Sequence, residues 1–158
     1  YCLCDTGSTD NTMEIITNYF SSKNIPGKIV QEPFKNFCHN RNFSIKACLG
    51  MSDYILLMDA DMLLQIHNFD KNMLKSFDSF YILQGNESFY YQNTRIVKNN
   101  GLYSYSGVTH EYINTPFNNR MGIINKNQFP RDVGKRVRNE PHQRRDIGAL
   151  IKHGNDNR

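Results

Sequence analysis

Two aspartates separated by one small residue, Asp59-Ala60-Asp61, follow directly on the apolar run Tyr54-Ile55-Leu56-Leu57-Met58. An unbroken apolar run of this length has the character of a strand buried on both faces of a parallel sheet. Open α/β sheets hold their ligands beyond the carboxyl ends of such strands. Two carboxylates placed there repel one another, and a divalent cation relieves that repulsion. Mg²⁺ and Mn²⁺ take hard oxygen ligands and keep positions for water and substrate phosphates. The pair therefore reads as a metal and phosphate site, and the small Ala60 lets a ligand approach the backbone. Away from such a strand, the same three residues would read as a solvated turn.

A second group with chemical potential is Asp5-Thr6-Gly7-Ser8-Thr9-Asp10, between an apolar stub (Tyr1 to Cys4) and a helical pattern. Gly7 permits a tight turn and close ligand approach, and the helix N-terminus beyond it favours acceptor groups and anions. The segment has neither the Gly-x-Gly-x-x-Gly fingerprint nor the Gly-Lys-Ser/Thr phosphate loop, so a Rossmann dehydrogenase and a nucleotide hydrolase are not supported.

The elements that must position these groups follow from periodicity. Met13, Ile16 and Phe20 predict a helix ending near Lys23, with Asn11 and Glu14 as a capping box and Pro26-Gly27 as its stop. Lys28 to Val30 reads as a short strand, and Phe37 to Leu49 as a second amphipathic helix stopped at Gly50. Strand, helix, strand, helix, strand implies right-handed crossovers and a parallel sheet. Further on, Phe69 to Phe77 reads as a helix, Ser79 to Val97 as two strands around Gly85-Asn86, and Leu102 to Ile113 as another strand-like piece. Asn118 to Arg138 is polar and reads as a loop. Arg144 to Lys152 reads as a last helix with Ile147, Leu150 and Ile151 on one face.

Composition narrows the classes. The 158 residues suit one domain with a real core, and 39% hydrophobic with 12% aromatic residues excludes a disordered tail. Collagen-like and coiled-coil patterns are missing, and no apolar run approaches the length of a membrane span. Lysine and arginine exceed aspartate and glutamate by 19 − 15 = 4, which fits an anionic ligand. Basic residues form no patch interleaved with aromatics, so nucleic acid is not an expected partner. Four cysteines, Cys2, Cys4, Cys38 and Cys48, lack the spacing of a zinc site or disulfide scaffold. They read as free thiols in a reducing, cytoplasmic setting. The two Asn-x-Ser sequons are expected by chance in so asparagine-rich a chain.

Taken in order, Cys4-Asp5-Thr6-Gly7-Ser8-Thr9-Asp10-Asn11-Thr12, Phe37-Cys38-His39-Asn40-Arg41-Asn42 and Tyr54-Ile55-Leu56-Leu57-Met58-Asp59-Ala60-Asp61 resemble the family-2 glycosyltransferases. Gly107-Val108-Thr109-His110-Glu111-Tyr112 resembles a later acceptor-side motif of a bacterial and viral subgroup, and Arg144-Arg145-Asp146-Ile147 resembles that subgroup's closing helix. The subgroup's Gly-rich segment is matched only partly by Arg131-Asp132-Val133-Gly134-Lys135, where no metal ligand is assigned. The resemblance implies an α/β GT-A fold, with a mostly parallel Rossmann-like sheet flanked by helices and antiparallel additions in the second half. It implies one domain over residues 1–158, divided into a nucleotide-sugar-binding half (1–61) and an acceptor-side half (62–158). The family's first strand is missing from the text, so the chain reads as a fragment of something longer.

The activity so implied is transfer of a sugar, with inversion, from a nucleoside diphosphate sugar to an acceptor hydroxyl on a glycan, lipid or protein. Asp5, Thr6, Gly7, Ser8, Arg41, Asp59 and Ala60 would contact the nucleotide sugar, and Asp59 and Asp61 would hold Mn²⁺ or Mg²⁺. The cation would offset charge on the departing diphosphate. Glu111 would be the base, and His110 and His142 are further candidates for contact with the metal or diphosphate. The alternative is a catalytically silent or truncated binding module of the same fold. A metal-dependent nucleotidyl or phosphoryl transferase would need a basic phosphate-gripping loop, and Asp5 to Thr12 contains no basic residue.

Overall fold

The computed structural model describes residues 1–66, 69–85, 89–107 and 110–124, and the backbone of 146–151. Its first half follows the periodicity closely: β1 (Cys2–Asp5), α1 (Thr12–Ser22), β2 (Lys28–Gln31), α2 (Phe37–Ala47) and β3 (Tyr54–Asp59). The α2 start is fixed by Asn36, whose side chain accepts from the His39 N–H at 2.8 Å, as an N-cap should. The α1 start differs from expectation, because Asn11 makes no side-chain cap bond. Asp10 takes over that task, accepting from the Thr12 N–H at 3.1 Å, so the Asn11–Glu14 box does not form.

The second half contains β4 (Ser79–Gly85), β5 (Tyr90–Lys98), β6 (Ser104–Ser106), β7 (Tyr112–Asn114), β8 (Met121–Ile124) and β9 (Asp146–Ile151). Four expectations are refined or corrected here. The segment after Phe69 is a short 3₁₀ helix, Lys71–Ser76, capped by Asp70 accepting from the Asn72 N–H at 2.8 Å. The piece at Leu102 to Ile113 is two strands, β6 and β7, forming their own small antiparallel sheet. Within the expected loop after Asn118, residues 121–124 form β8, an edge strand parallel to β4 with alternating burial. The expected closing helix is overturned at residues 146–151, which are strand β9. β9 lies between β1 and β3 and pairs antiparallel with both, from Cys4↔Asp146 to Cys2↔Gly148 and from Asp59↔Asp146 to Tyr54↔Ile151. Two facing strand edges at the centre of a sheet need hydrogen-bond partners, and that demand outweighs a local helical period.

The main sheet has the order β2-β1-β9-β3-β5-β4-β8. The pairings make β1, β2, β3, β4 and β8 run in one sense and only β5 and β9 in the other. The sheet is thus mixed, with the carboxyl ends of β1, β2, β3 and β4 along one edge. β3 is buried on both faces. On one side Ile55 and Leu57 pack with Ile45 and Cys48 of the α2 region, Cys2, Val97, Tyr103 and Tyr105. On the other, Tyr54 and Leu56 pack with Leu74, Phe80, Ile82, Ile96 and Ile124. Each such aliphatic side chain contributes about 1.5–3 kcal/mol on burial. Among the described residues, no helix is long and apolar enough to cross a membrane.

Candidate active site

Asp5 closes β1 and is almost fully buried. Its carboxylate accepts from the Gly7 N–H at 3.2 Å, from the Ser8 N–H at 3.1 Å and from the Ser8 hydroxyl. Burial pushes this carboxyl up, but the hydrogen bonds from Ser8 and Gly7 outweigh it and hold the group below its ordinary value. Gly7 has φ +114°, with open space where a Cβ would stand. The loop is therefore wound around Asp5, leaving Gly7 exposed and Thr6 and Ser8 half-buried at the sheet edge.

The neighbouring loop between β2 and α2 is tied to it and built with equal care. Glu32 N–H donates to the Asp5 carbonyl at 3.0 Å, and Phe34 N–H donates to that of Thr6 at 3.3 Å. Asn40, with no exposed surface, donates to the Glu32 and Pro33 carbonyls at 3.1 and 3.3 Å and accepts from the Lys35 N–H at 3.0 Å. Glu32 meets Lys35 at 2.9 Å and His39 at 2.8 Å. Those two partners, Lys35 first, hold the Glu32 carboxyl below its usual range.

Asp59 closes β3 and meets two guanidinium groups. Arg41 Nη2 donates to Oδ1 at 2.9 Å, and Arg95 Nη2 lies 3.6 Å from Oδ2. The other arm of Arg41 donates to Glu111 Oε2 at 3.0 Å. One guanidinium on α2 thus joins the last residue of β3 to a carboxylate from the β6–β7 turn. The rings of Tyr105 and Phe37 flank it at 5.2 and 5.6 Å, within cation–π range. Glu111 reaches this position through a tight turn that requires glycine: Gly107 has φ +109°, and a Cβ there would lie 2.4 Å from the His110 carbonyl oxygen. The Glu111 side chain is only 9% exposed, and its second oxygen, Oε1, is buried with no hydrogen-bond partner among the described residues.

The structure therefore brings Arg41, Asp59 and Glu111 into one network and sets Asp5 to Ser8 along the same sheet edge. Ala60 and Asp61 are exposed at the rim, as is His110. His142 and the segments 131–135 and 144–145 lie outside the described residues. Sequence reasoning missed Arg95, Asn40 as a loop brace, and Tyr105 beneath Arg41. Arg95 left one signal, a cation inside the strand-like run Thr94-Arg95-Ile96-Val97, where an unpaired charge would be costly.

Fold, edge and carboxylates now have a family to stand in. The sequence profile described as glycosyl transferase family 2 matches residues 1–134, and the chain belongs to that family. It is a glycosyltransferase with the GT-A fold, and the family implies a nucleotide-sugar donor and an acceptor. No curated protein matches the chain significantly. The family commonly uses a divalent cation. Among the described residues no cluster of three or more His, Cys, Asp or Glu side chains could hold a metal ion. Mg²⁺-type sites use one or two carboxylates and complete their shell with water and substrate phosphates. Of the two expected ligands, Asp61 is exposed at the rim, whereas both Asp59 oxygens face guanidinium groups with which a bound cation would have to share them.

Proposed function

We propose that this chain transfers a sugar from a nucleoside diphosphate sugar to an acceptor hydroxyl by a single inverting displacement, with Glu111 as the base. The observation that carries the reading is the Glu111 carboxylate itself. One oxygen is fixed by Arg41, and the other is buried with no hydrogen-bond partner among the described residues, which leaves it the atom that would take the acceptor's proton once the acceptor reaches it. A carboxylate left half-satisfied beside the sheet edge is a costly arrangement for a purely structural residue.

In the displacement, the acceptor oxygen gives its proton to Glu111 Oε1 and forms a bond to the anomeric carbon. The bond from that carbon to the diphosphate oxygen breaks, and its electron pair leaves with the diphosphate. Asp61 and Asp59 would hold Mn²⁺ or Mg²⁺, which when bound offsets the charge gathering on that leaving group. Asp5 fixes the shape of the Gly7–Ser8 loop through its hydrogen bonds, and Thr6, Gly7 and Ser8 would meet the nucleotide from the rim. Arg41 orients Asp59 and Glu111 together, so donor and base are held by one group. A cytoplasmic setting suits the four cysteines, none of which is in a disulfide among the described residues.

Glu111→Gln preserves the side-chain shape and removes the base. The expected result is a fall in kcat of about 10²–10⁴-fold with donor affinity little changed. Near-normal turnover would reject Glu111. A product whose anomeric configuration, read by NMR, matches that of the donor would reject the single displacement.

A further inference from the structure

We propose that Arg95 is a positioning residue for Asp59, delivered by a bulge in β5, and that it acts on how the site holds a diphosphate and its cation. The proposal rests on the nucleotide-sugar reading above. Between β4 and β5 the register slips: Phe80 faces Ile96, but Tyr81 faces Thr94, so Arg95 is the extra residue. Such bulges break the alternation of faces and re-aim a side chain, often beside functional sites. Here Thr94, Arg95, Ile96 and Val97 are all buried in succession.

The re-aimed side chain is only 10% exposed and runs to the end of β3. Its Nε donates to Gln84 Oε1 at 2.9 Å, and Gln84 also accepts from Asn93 Nδ2 at 3.2 Å. That anchoring leaves Nη2 at 3.6 Å from Asp59 Oδ2, on the side of the carboxylate that Arg41 does not hold. Asp59 thus faces one cation on each oxygen, hydrogen-bonded at Oδ1 and within ion-pair range at Oδ2, which compensates its charge. A strap between β3 and β5 could be made by ladder bonds and apolar contacts alone. A buried guanidinium aimed at the aspartate of the Asp-Ala-Asp motif instead matches the residues that set a ligand's geometry from one layer out.

The test is calorimetric binding of a nucleoside diphosphate in Mn²⁺, with thermal unfolding measured in parallel, on wild type, Arg95→Met, Arg95→Lys and Gln84→Leu. Outer residues of this kind typically change ligand or metal affinity by about 10–100-fold. Arg95→Met is expected to weaken binding by that order. Arg95→Lys should recover part of the loss, and Gln84→Leu should follow Arg95→Met more weakly. Should Arg95→Met not fold, the comparison is read on Arg95→Lys and Gln84→Leu. Wild-type affinity in the folded variants, with only the melting temperature lowered, overturns the assignment and leaves a structural strap. A wild-type protein that binds no diphosphate overturns the nucleotide reading itself, and this assignment with it.

Discussion

Arg41 is the residue through which the candidate site is organised, and its neighbours decide what each carboxylate is for. Asp59 is paired with two arginines, whereas Asp61 sits exposed two residues later. The two aspartates should therefore fail differently. Asp59→Asn with Asp61→Asn is expected to abolish Mn²⁺-dependent binding of a nucleoside diphosphate while circular dichroism stays native. Of the single variants, Asp59→Asn should also lower the melting temperature, because it leaves the guanidinium groups of Arg41 and Arg95 without their shared anionic partner. Asp61→Asn, at the exposed rim, should lower it less. Metal-independent affinity equal to wild type in the double variant would remove the pair from the site. Asp59, Arg41 and Glu111, which the structure joins in one network, could be picked out as candidates in the sequence because their residue types stood at a strand end or in recognisable motifs. Arg95 could not, since a bulge leaves no mark in a two-residue period. The spare oxygen of Glu111 was equally invisible, being a property of packing.

At the scale of elements, the β2–α2 loop depends on one side chain. Asn40 satisfies two carbonyls and one N–H of that loop from a fully buried position. Asn40→Ala would remove three hydrogen bonds to that loop, each of which contributes about 0.5–1.5 kcal/mol net. Urea unfolding should register a loss of at least that size, and a midpoint equal to wild type would show that the loop does not need its brace. The elements from β1 to β3 could be read from the sequence because each carries its own signal: apolar runs for strands, a 3.6-residue period for helices, and Pro26-Gly27 as a break. β8 and β9 could not. Both are strands because a neighbouring edge offers them hydrogen bonds. The Asn11–Glu14 pairing misled for a related reason, as Asp10, one residue earlier in the chain, reaches the Thr12 N–H instead.

Across the whole molecule, the end of the sheet opposite the site is tied by Asp78. Its carboxylate accepts from Arg120 N–H at 2.9 Å, from Arg120 Nε at 3.1 Å and from Lys98 Nζ, linking the margins of β4, β5 and β8. Arg120 first, and then Lys98, hold this carboxyl well below its ordinary value. A depressed folded-state value means the contribution is complete above the unfolded value, near pH 4, and is lost as pH falls further. The melting temperature of the wild type should therefore exceed that of Asp78→Asn at neutral pH, with the gap narrowing on acidification below about pH 4. A gap independent of pH would exclude this ionic tie. The order of strands has a different consequence, one for the protein's birth. β9 lies between β1 and β3, yet its residues are 146–151. As the chain leaves the ribosome, β1 with β2 forms one raft and β3 with β5, β4 and β8 another, each with an unpaired inner edge. Ribosome-bound chains that stop short of Asp146 hold both rafts open, exposed to adventitious strand pairing until the last piece arrives to close them.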